Sequence, residues 1–444
     1  MRTLFTLLFA LLFLFQPLSD VSAQVGWTEE YEQGVVVAAE KHAAEVGREI
    51  LEEGGNAVDA AVAVQFALSV TLPRAGNIGG GGFMVIRMAD GTTTALDYRE
   101  KAPLKASEDM YIRDGEYRSD LSREGILAVG VPGVVDGMVK AIERYGRFPL
   151  QTVVEPSIKL AREGYELSWK LADELNANKD QFKKFKSSES YFTKKSGSSY
   201  EPGDLFVQED LANTLERIAR YGRGGFYSGK TADLIVEEMK RHNGLIGYRD
   251  LRNYESVWRD PVRMEFNDYQ LHIMPPPSSG SIAIAQILAS LEEYDLREMG
   301  FNSAEYVHLI TESMRRAFAD RAHYLGDPDF VDIPREELLE KRYNRNRMQS
   351  FDPDKATDSE ELGHGDISGF SESSETTHFS IVDSDGNAVA VTTTLNASFG
   401  SKVAVSGAGF LLNNEMDDFT AEPEEPNMFG LIQGEANAIE PEKR

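Results

Sequence analysis

"TTHFSIVDSDGNAVAVTTTLN", residues 376–396, decides how the rest of the chain is read. Apolar and polar side chains alternate, the pattern breaks at Asp385-Gly386, and the alternation then returns. Two alternating runs around an Asp-Gly pair predict a β-hairpin. A turn centred on Asp385 sets Thr376 opposite Thr394. Facing side chains in such a pair stand ~5 Å apart. A slip of one or two positions would part them.

Immediately upstream lies "FDPDKATDSEELGHGDISGFSESSE", residues 351–375, which has little to bury and reads as a flexible linker. Thr376 therefore has two readings. Inside a continuous chain it is a strand former and nothing more. As a new N-terminus it is a nucleophile carrying its own base. The α-amine, with pKa ~8 unperturbed, can take the hydroxyl proton near neutral pH. The second reading explains the linker, because a chain cut at Glu375–Thr376 leaves the strand intact. The Thr376 hydroxyl can make that cut itself. It attacks the Glu375 carbonyl in an N-to-O acyl shift, and water hydrolyses the resulting ester.

The composition limits the partners. The chain has 444 residues and a formal net charge of -27. An acidic surface argues against nucleic acid and against anionic membrane, both of which need a basic face. Length alone allows ~3 domains of roughly 150 residues. There is no cysteine, which excludes disulfides, a thiol nucleophile and thiolate metal sites. Residues 1–23 combine Arg2, an apolar run from Leu4 to Phe15 and the small-residue site Val21-Ser22-Ala23. That is the pattern of a cleaved secretory signal, with an uncleaved anchor as the alternative. The apolar run is short for a membrane span and no other stretch qualifies. The expected location is periplasmic or secreted.

Elsewhere the pattern alternates between helix and strand. Residues 40–53 carry Ala43, Val46, Ile50 and Leu51 on one helical face, with Gly54 as the stop. Asn56 is placed to cap the next helix, which is apolar nearly all round and so buried. "GNIGGGGFMVIRM" feeds a strand, with "TTTALDYREKAP" as its hairpin partner. The middle is mostly helical. A long helix is expected from about Ser303, with Val307, Ile310, Met314 and Phe318 on its apolar stripe. Residues 183–203, "KKFKSSESYFTKKSGSSYEPG", read as a second loop-like patch.

Several motifs carry competing readings. "GGFYSGKT", Gly224–Thr231, matches the phosphate-cradling loop. That mechanism needs a strand in front, and a helical run, "LERIARYGR", stands there instead. "IGGGGF", Ile78–Phe83, is either an anion cradle or close backbone packing. The seven histidines show no metal-binding spacing. Asn396 begins an "NAS" sequon, but it lies where the hairpin ends. Arg99 in "LDYREKAP" is a surface ion pair with Glu100 or a carboxylate clamp. "NNEMDD", Asn413–Asp418, is a solvated loop or a binding position for an ammonium group.

Together these segments resemble the γ-glutamyltransferases (γ-glutamyl transpeptidases) of the N-terminal-nucleophile hydrolase superfamily. The resemblance rests on "GGNAVDAAVAVQFALSVTLP", "GNIGGGGFMVI", "LDYREKAP", "VGVPGVVDG", "MPPPSSGS", "DRAHYLGDPDF", the hairpin with its extension to "NASFGS", and "GFLLNNEMDDF". It covers nearly all of the chain beyond the signal, and "FYSGKTA" fits as an ordinary family segment. The resemblance implies an α/β (α+β) fold, the αββα sandwich. It also implies a large subunit, residues 24–375, and a small subunit starting at Thr376 and running to 444, both cut from one precursor. Thr376 would be the nucleophile and Thr394 its assistant. Arg99 would bind the α-carboxylate of a γ-glutamyl group, and Asn396, Glu415 and Asp418 its α-amino group. The donor would be glutathione or another γ-glutamyl amide, and no cofactor is implied. The acceptor would be water, an amino acid or a peptide. Phe429 stands in a lid segment where some members have Tyr. The Ser-Ser and Gly-Gly segments that follow in the family, carrying a carboxylate contact and the oxyanion hole, lie beyond Arg444, so the sandwich is expected to be incomplete at its C-terminal end. The competing expectations are a related amidase, such as a cephalosporin acylase or a γ-polyglutamate-processing enzyme, and an inactive scaffold.

Overall fold

The computed structural model describes residues 30–359, 362, 376–420, 427–428 and 434–444. Its centre is a six-stranded sheet built from β1 (Gly34–Val37), β2 (Gly81–Arg87), β3 (Thr93–Asp97), β4 (Val257–Arg259), β5 (Thr377–Asp383) and β6 (Ala388–Thr394). The spatial order is β1-β5-β6-β2-β3-β4, and every neighbouring pair is antiparallel. The expected hairpin is therefore the middle of the sheet, flanked by strands from the start of the chain. Gly34–Arg444 form one compact unit rather than the three that length allows, while Met1–Gln33 group separately. The expected signal, residues 1–23, lies outside the described residues. None of the described helices is long and apolar enough to cross a membrane.

The alternation of the hairpin decides its two faces. Phe379, Ile381, Val389 and Val391 are almost wholly buried. They pack beneath helix α2 (Ala57–Thr71), which in turn packs against helix α1 (Lys41–Glu52). All fifteen residues of α2 are buried, as its all-round apolar sequence requires. Each large apolar side chain taken from water there contributes roughly 1.5–3 kcal/mol. Asn56 caps α2 through its side chain, with Asp59 completing a capping box. Asp383, at the end of β5, accepts from the Ala57 N–H at 2.8 Å, and its other oxygen accepts from Asp385 and Asn387. One carboxylate thus ties the hairpin turn to the start of the buried helix. The opposite face carries His378, Ser380, Thr392 and Thr394, which are at least partly exposed.

The turn lies where alternation placed it. Thr377 pairs with Thr393 and His378 with Thr392. Continuing that register one step sets Thr376 opposite Thr394.

Three expectations need correction. The long helix is present as α3 (Ala304–Tyr324), capped by Ser303, but its buried face is not the stripe of Val307, Ile310, Met314 and Phe318. Val307 is half exposed, and the buried positions include Glu312, Arg316 and Asp320. Glu312 and Arg316 neutralise one another at 2.7 Å, so this helix turns a polar face inward. Residues 351–359 are tied into the fold rather than free. Thr357 donates to Glu312 and accepts from Arg316, and Ser359 accepts from Arg315. Residues 183–203 are not all loop. A helix spans Lys186–Phe192, and Phe192 packs on Phe182, which meets Phe399 edge-on. Aromatic burial outweighed the polar composition.

Candidate active site

The start of β5, the end of β6, the start of β2 and the end of β3 meet at one end of the sheet. The candidate residues gather there because antiparallel order brings these four strand ends together. Thr376 is exposed at the entrance to β5. Thr394 ends β6, and its hydroxyl accepts from the Asn396 N–H at 2.9 Å. Gly81 faces Thr394 from β2, so Thr376, Thr394 and Gly81 form one row across three strands.

The glycine run is close packing rather than a cradle. A methyl group on Gly80 would lie 2.1 Å from the Thr394 carbonyl oxygen, and one on Gly81 would lie 2.2 Å from Glu100 Oε2. Neither backbone has room for a side chain. The phosphate-loop match is also accounted for. A helix, Glu209–Tyr221, precedes it, and the Thr231 side chain is buried, donating to the Gly225 carbonyl.

Arg99 follows β3 and leaves the sheet at this end. One of its terminal nitrogens donates to Asp418 at 2.6 Å and meets Glu415 at 2.9 Å. Glu415 and Asp418 lie on a single 3-10 turn. The clamp reading of Arg99 and the ammonium-site reading of "NNEMDD" are thus two halves of one cluster. Burial works against the Arg99 charge, but Glu415 and Asp418 outweigh it and hold its pKa up. Burial also pushes Glu415 up to about 7, opposed by Arg99 and reinforced by Asp418. Its Oε2 has no hydrogen-bond partner among the described residues.

Asn396 joins the cluster indirectly. It sits at φ +74°, and its amide donates to the Asn414 carbonyl at 3.1 Å. Asn tolerates this left-handed conformation better than most residues. The side chain is buried and engaged, which removes the sequon reading. No hydrogen bond among the described residues links the threonine pair to Arg99. Phe429 and Glu375 lie outside the described residues.

Three further residues were missed. Asn413 accepts from the Gly130 N–H and donates to the carbonyls of Gly79 and Gly130. It also accepts from the Glu415 N–H. One amide therefore positions the glycine run and the acidic turn together. Glu100 is buried with neither oxygen partnered among the described residues. Burial, with Glu415 nearby, holds its carboxyl well above the usual range. Arg444 pairs with Asp97 and donates to the Arg99 carbonyl. The only signal for Asn413 was its place in a quoted motif, and nothing in the local pattern marked Arg444.

Beside the cluster opens a cavity of about 180 Å³, walled by Phe83, Arg99, Arg321, Asp418, Asn437 and Arg444 among others. Phe83 lies opposite Thr392, so the cavity reaches the sheet two residues along from the row that holds Thr394. This arrangement offers a cation and two carboxylates for a zwitterionic head group, next to a sheet end that carries two hydroxyls.

The chain is similar to known proteins. The family model described as Gamma-glutamyltranspeptidase matches residues 43–444. The glutathione hydrolase proenzyme of Escherichia coli is 47% identical over 414 residues, spanning 93% of this chain and 71% of that one. The crystal structure of Helicobacter pylori gamma-glutamyltranspeptidase superposes with a TM-score of 0.73 at 44% identity, covering 74% of this chain and 95% of that one. A cephalosporin acylase from Bacillus halodurans superposes at 0.79 with 24% identity, over 96% of this chain and 76% of that one, and so shares the fold. The mixed helix-and-sheet architecture is that of the N-terminal-nucleophile hydrolases, and the chain belongs to the gamma-glutamyltranspeptidase family.

Proposed function

We propose that this enzyme is a γ-glutamyltransferase and glutathione hydrolase, made as a precursor that cleaves itself before Thr376. The observation that carries the reading is the Arg99–Glu415–Asp418 cluster at the sheet end where the register sets Thr376 opposite Thr394. Cleavage splits the chain into a large part, 24–375, and a small part starting at Thr376. The Thr376 hydroxyl attacks the Glu375 carbonyl, the peptide C–N bond breaks, and water hydrolyses the ester. A free α-amine is left on Thr376.

In turnover that amine takes the hydroxyl proton as Oγ attacks the γ-carbonyl of the donor. The leaving amine collects the proton, and the γ-glutamyl group remains as an ester on Thr376. Water or the amine of an amino acid or peptide then takes it. Arg99 meets the α-carboxylate of the donor, while Glu415 and Asp418 meet its ammonium group. Thr394 supports the nucleophile from the facing strand. The signal-like residues 1–23 support export to the periplasm or beyond.

The second reading, an acylase, is supported by the shared fold of the cephalosporin acylase. The paired carboxylates beside Arg99 favour a donor with an amino-acid head group. Mass spectrometry and release of anilide from γ-glutamyl-p-nitroanilide test the proposal. Two chains split at Glu375–Thr376, with both cleavage and release lost in Thr376→Ala, are expected. An intact wild-type chain with no turnover overturns it.

A further inference from the structure

The cavity beside Arg99 contains three guanidinium groups, and they are not equivalent. Arg99 is held by Asp418 and Glu415. Arg444 is held by Asp97, the carbonyls of Arg99 and Glu255, and the Tyr254 hydroxyl. Arg321, in the last turn of α3, donates from Nε to Ser279 Oγ at 3.0 Å, and its guanidinium lies 6.0 Å from the centre of the Phe318 ring. Its two terminal nitrogens donate to no described atom, and no described carboxylate lies within ion-pair distance. Yet the group is partly buried in the cavity wall, and burial pushes its pKa down, with only Asp418 countering.

A buried charge left unpaired is costly. This chain has 73 acidic residues against 46 lysines and arginines, so carboxylates are plentiful. None of the described ones is placed against this fork. Ser279 fixes the Nε edge and leaves the terminal nitrogens free towards the cavity. A guanidinium held in this way presents two parallel N–H donors, which match a carboxylate.

We propose that Arg321, oriented by Ser279, is a carboxylate-binding position of the substrate cleft, distinct from Arg99. The inference rests on the γ-glutamyl reading above and extends it. That donor class carries two candidate carboxylates, the α-carboxylate of the γ-glutamyl group and the C-terminal carboxylate of a leaving peptide such as that of glutathione.

The test compares Arg321→Gln and Arg321→Lys with wild type on three donors: glutathione, glutathione with its glycine as the amide, and γ-glutamyl-p-nitroanilide. The expected result in Arg321→Gln is a rise in KM that lowers kcat/KM about 10–100-fold, with kcat and Tm little changed. Arg321→Lys should recover part of it. A loss confined to glutathione assigns Arg321 to the C-terminal carboxylate. An equal loss on all three assigns it to the α-carboxylate, and an anilide donor lacking that group should then show no penalty from the substitution. Ser279→Ala, which frees the guanidinium without removing it, should raise KM about threefold to tenfold. It keeps the proposal testable if Arg321→Gln does not fold. Wild-type KM on every donor in both variants, or a loss in kcat alone, overturns the inference while leaving the γ-glutamyl reading standing. If the wild type turns over none of these donors, the γ-glutamyl reading itself fails and this inference falls with it.

Discussion

Two buried arginine–glutamate clusters in this molecule have opposite characters. In the first, Arg316 donates to the Arg347 carbonyl, to the Glu312 carbonyl and carboxylate, and to Ser350 and Thr357. In the second, Arg99 meets Glu415 and Asp418 beside a cavity, while Glu415 Oε2 and both Glu100 oxygens have no described partner. The two glutamates respond in opposite directions. Glu312 is drawn down to about 2: burial raises it, but bonds from Arg316, Thr357 and Arg315 win. Glu415 is pushed up to about 7, because burial and neighbouring acids win over Arg99. A saturated cluster holds the fold together. An unsaturated one facing a cavity has been left open for something else to complete it.

The comparison can be broken most directly at Arg316. Arg316→Met should cost about 3–5 kcal/mol of stability, because Glu312 is left buried without its partner. Thermal unfolding checks this, and activity per folded molecule should hold. Arg99→Gln should do the reverse. The kcat/KM for γ-glutamyl anilide should fall about 100-fold, which corresponds to ~3 kcal/mol, with Tm nearly unchanged. If Arg99→Gln unfolds the protein and Arg316→Met spares it, the distinction between the clusters is wrong.

pH separates the clusters further. Glu312 has a depressed folded pKa, so its stabilisation is present above the unfolded value near 4.5 and is lost as pH falls towards 2. Denaturation midpoints measured across that window should drop, and should drop less in Glu312→Gln. Glu415 has a raised folded pKa, so the folded state holds the extra proton between about 4.5 and 7 and loses stability as pH rises through that window. The ionised form is the one that meets an ammonium group. KM should therefore fall as pH rises through about 7, by roughly tenfold, and Glu415→Gln should flatten that dependence. The smallest effect is expected at Asn413. Asn413→Ala removes the partners of the Gly130 N–H and carbonyl, while the Asn413 backbone N–H still holds the Gly79 carbonyl, and should cost about 1 kcal/mol. That appears as a lower Tm with a modest rise in KM.

The legible parts of the molecule are the local ones. The hairpin register followed from alternation around Asp385-Gly386, and the α2 cap from Asn56 before an apolar run. Arg99, Glu415 and Asp418 were each candidates, but the spacing between them carried no distance. Their contact exists because β3 ends where the 3-10 turn after Leu412 passes. The buried face of α3 was misread for the same reason. Its periodicity showed an apolar stripe, and Thr357 and Ser350 reversed the preference by satisfying Arg316 from elsewhere in the chain.

What the sequence determined by itself is the strand pair whose register sets Thr376 opposite Thr394, because side-chain alternation and a short turn act over a few residues. What the tertiary structure decided is which charges are satisfied and which are left open. Hydrogen-bond saturation depends on groups from distant segments converging in one low-dielectric place. Arg99, Arg316 and Arg321 look alike in the sequence, and only their surroundings pair one with two acids beside a cavity, engage one on every side and leave one open at its terminal nitrogens.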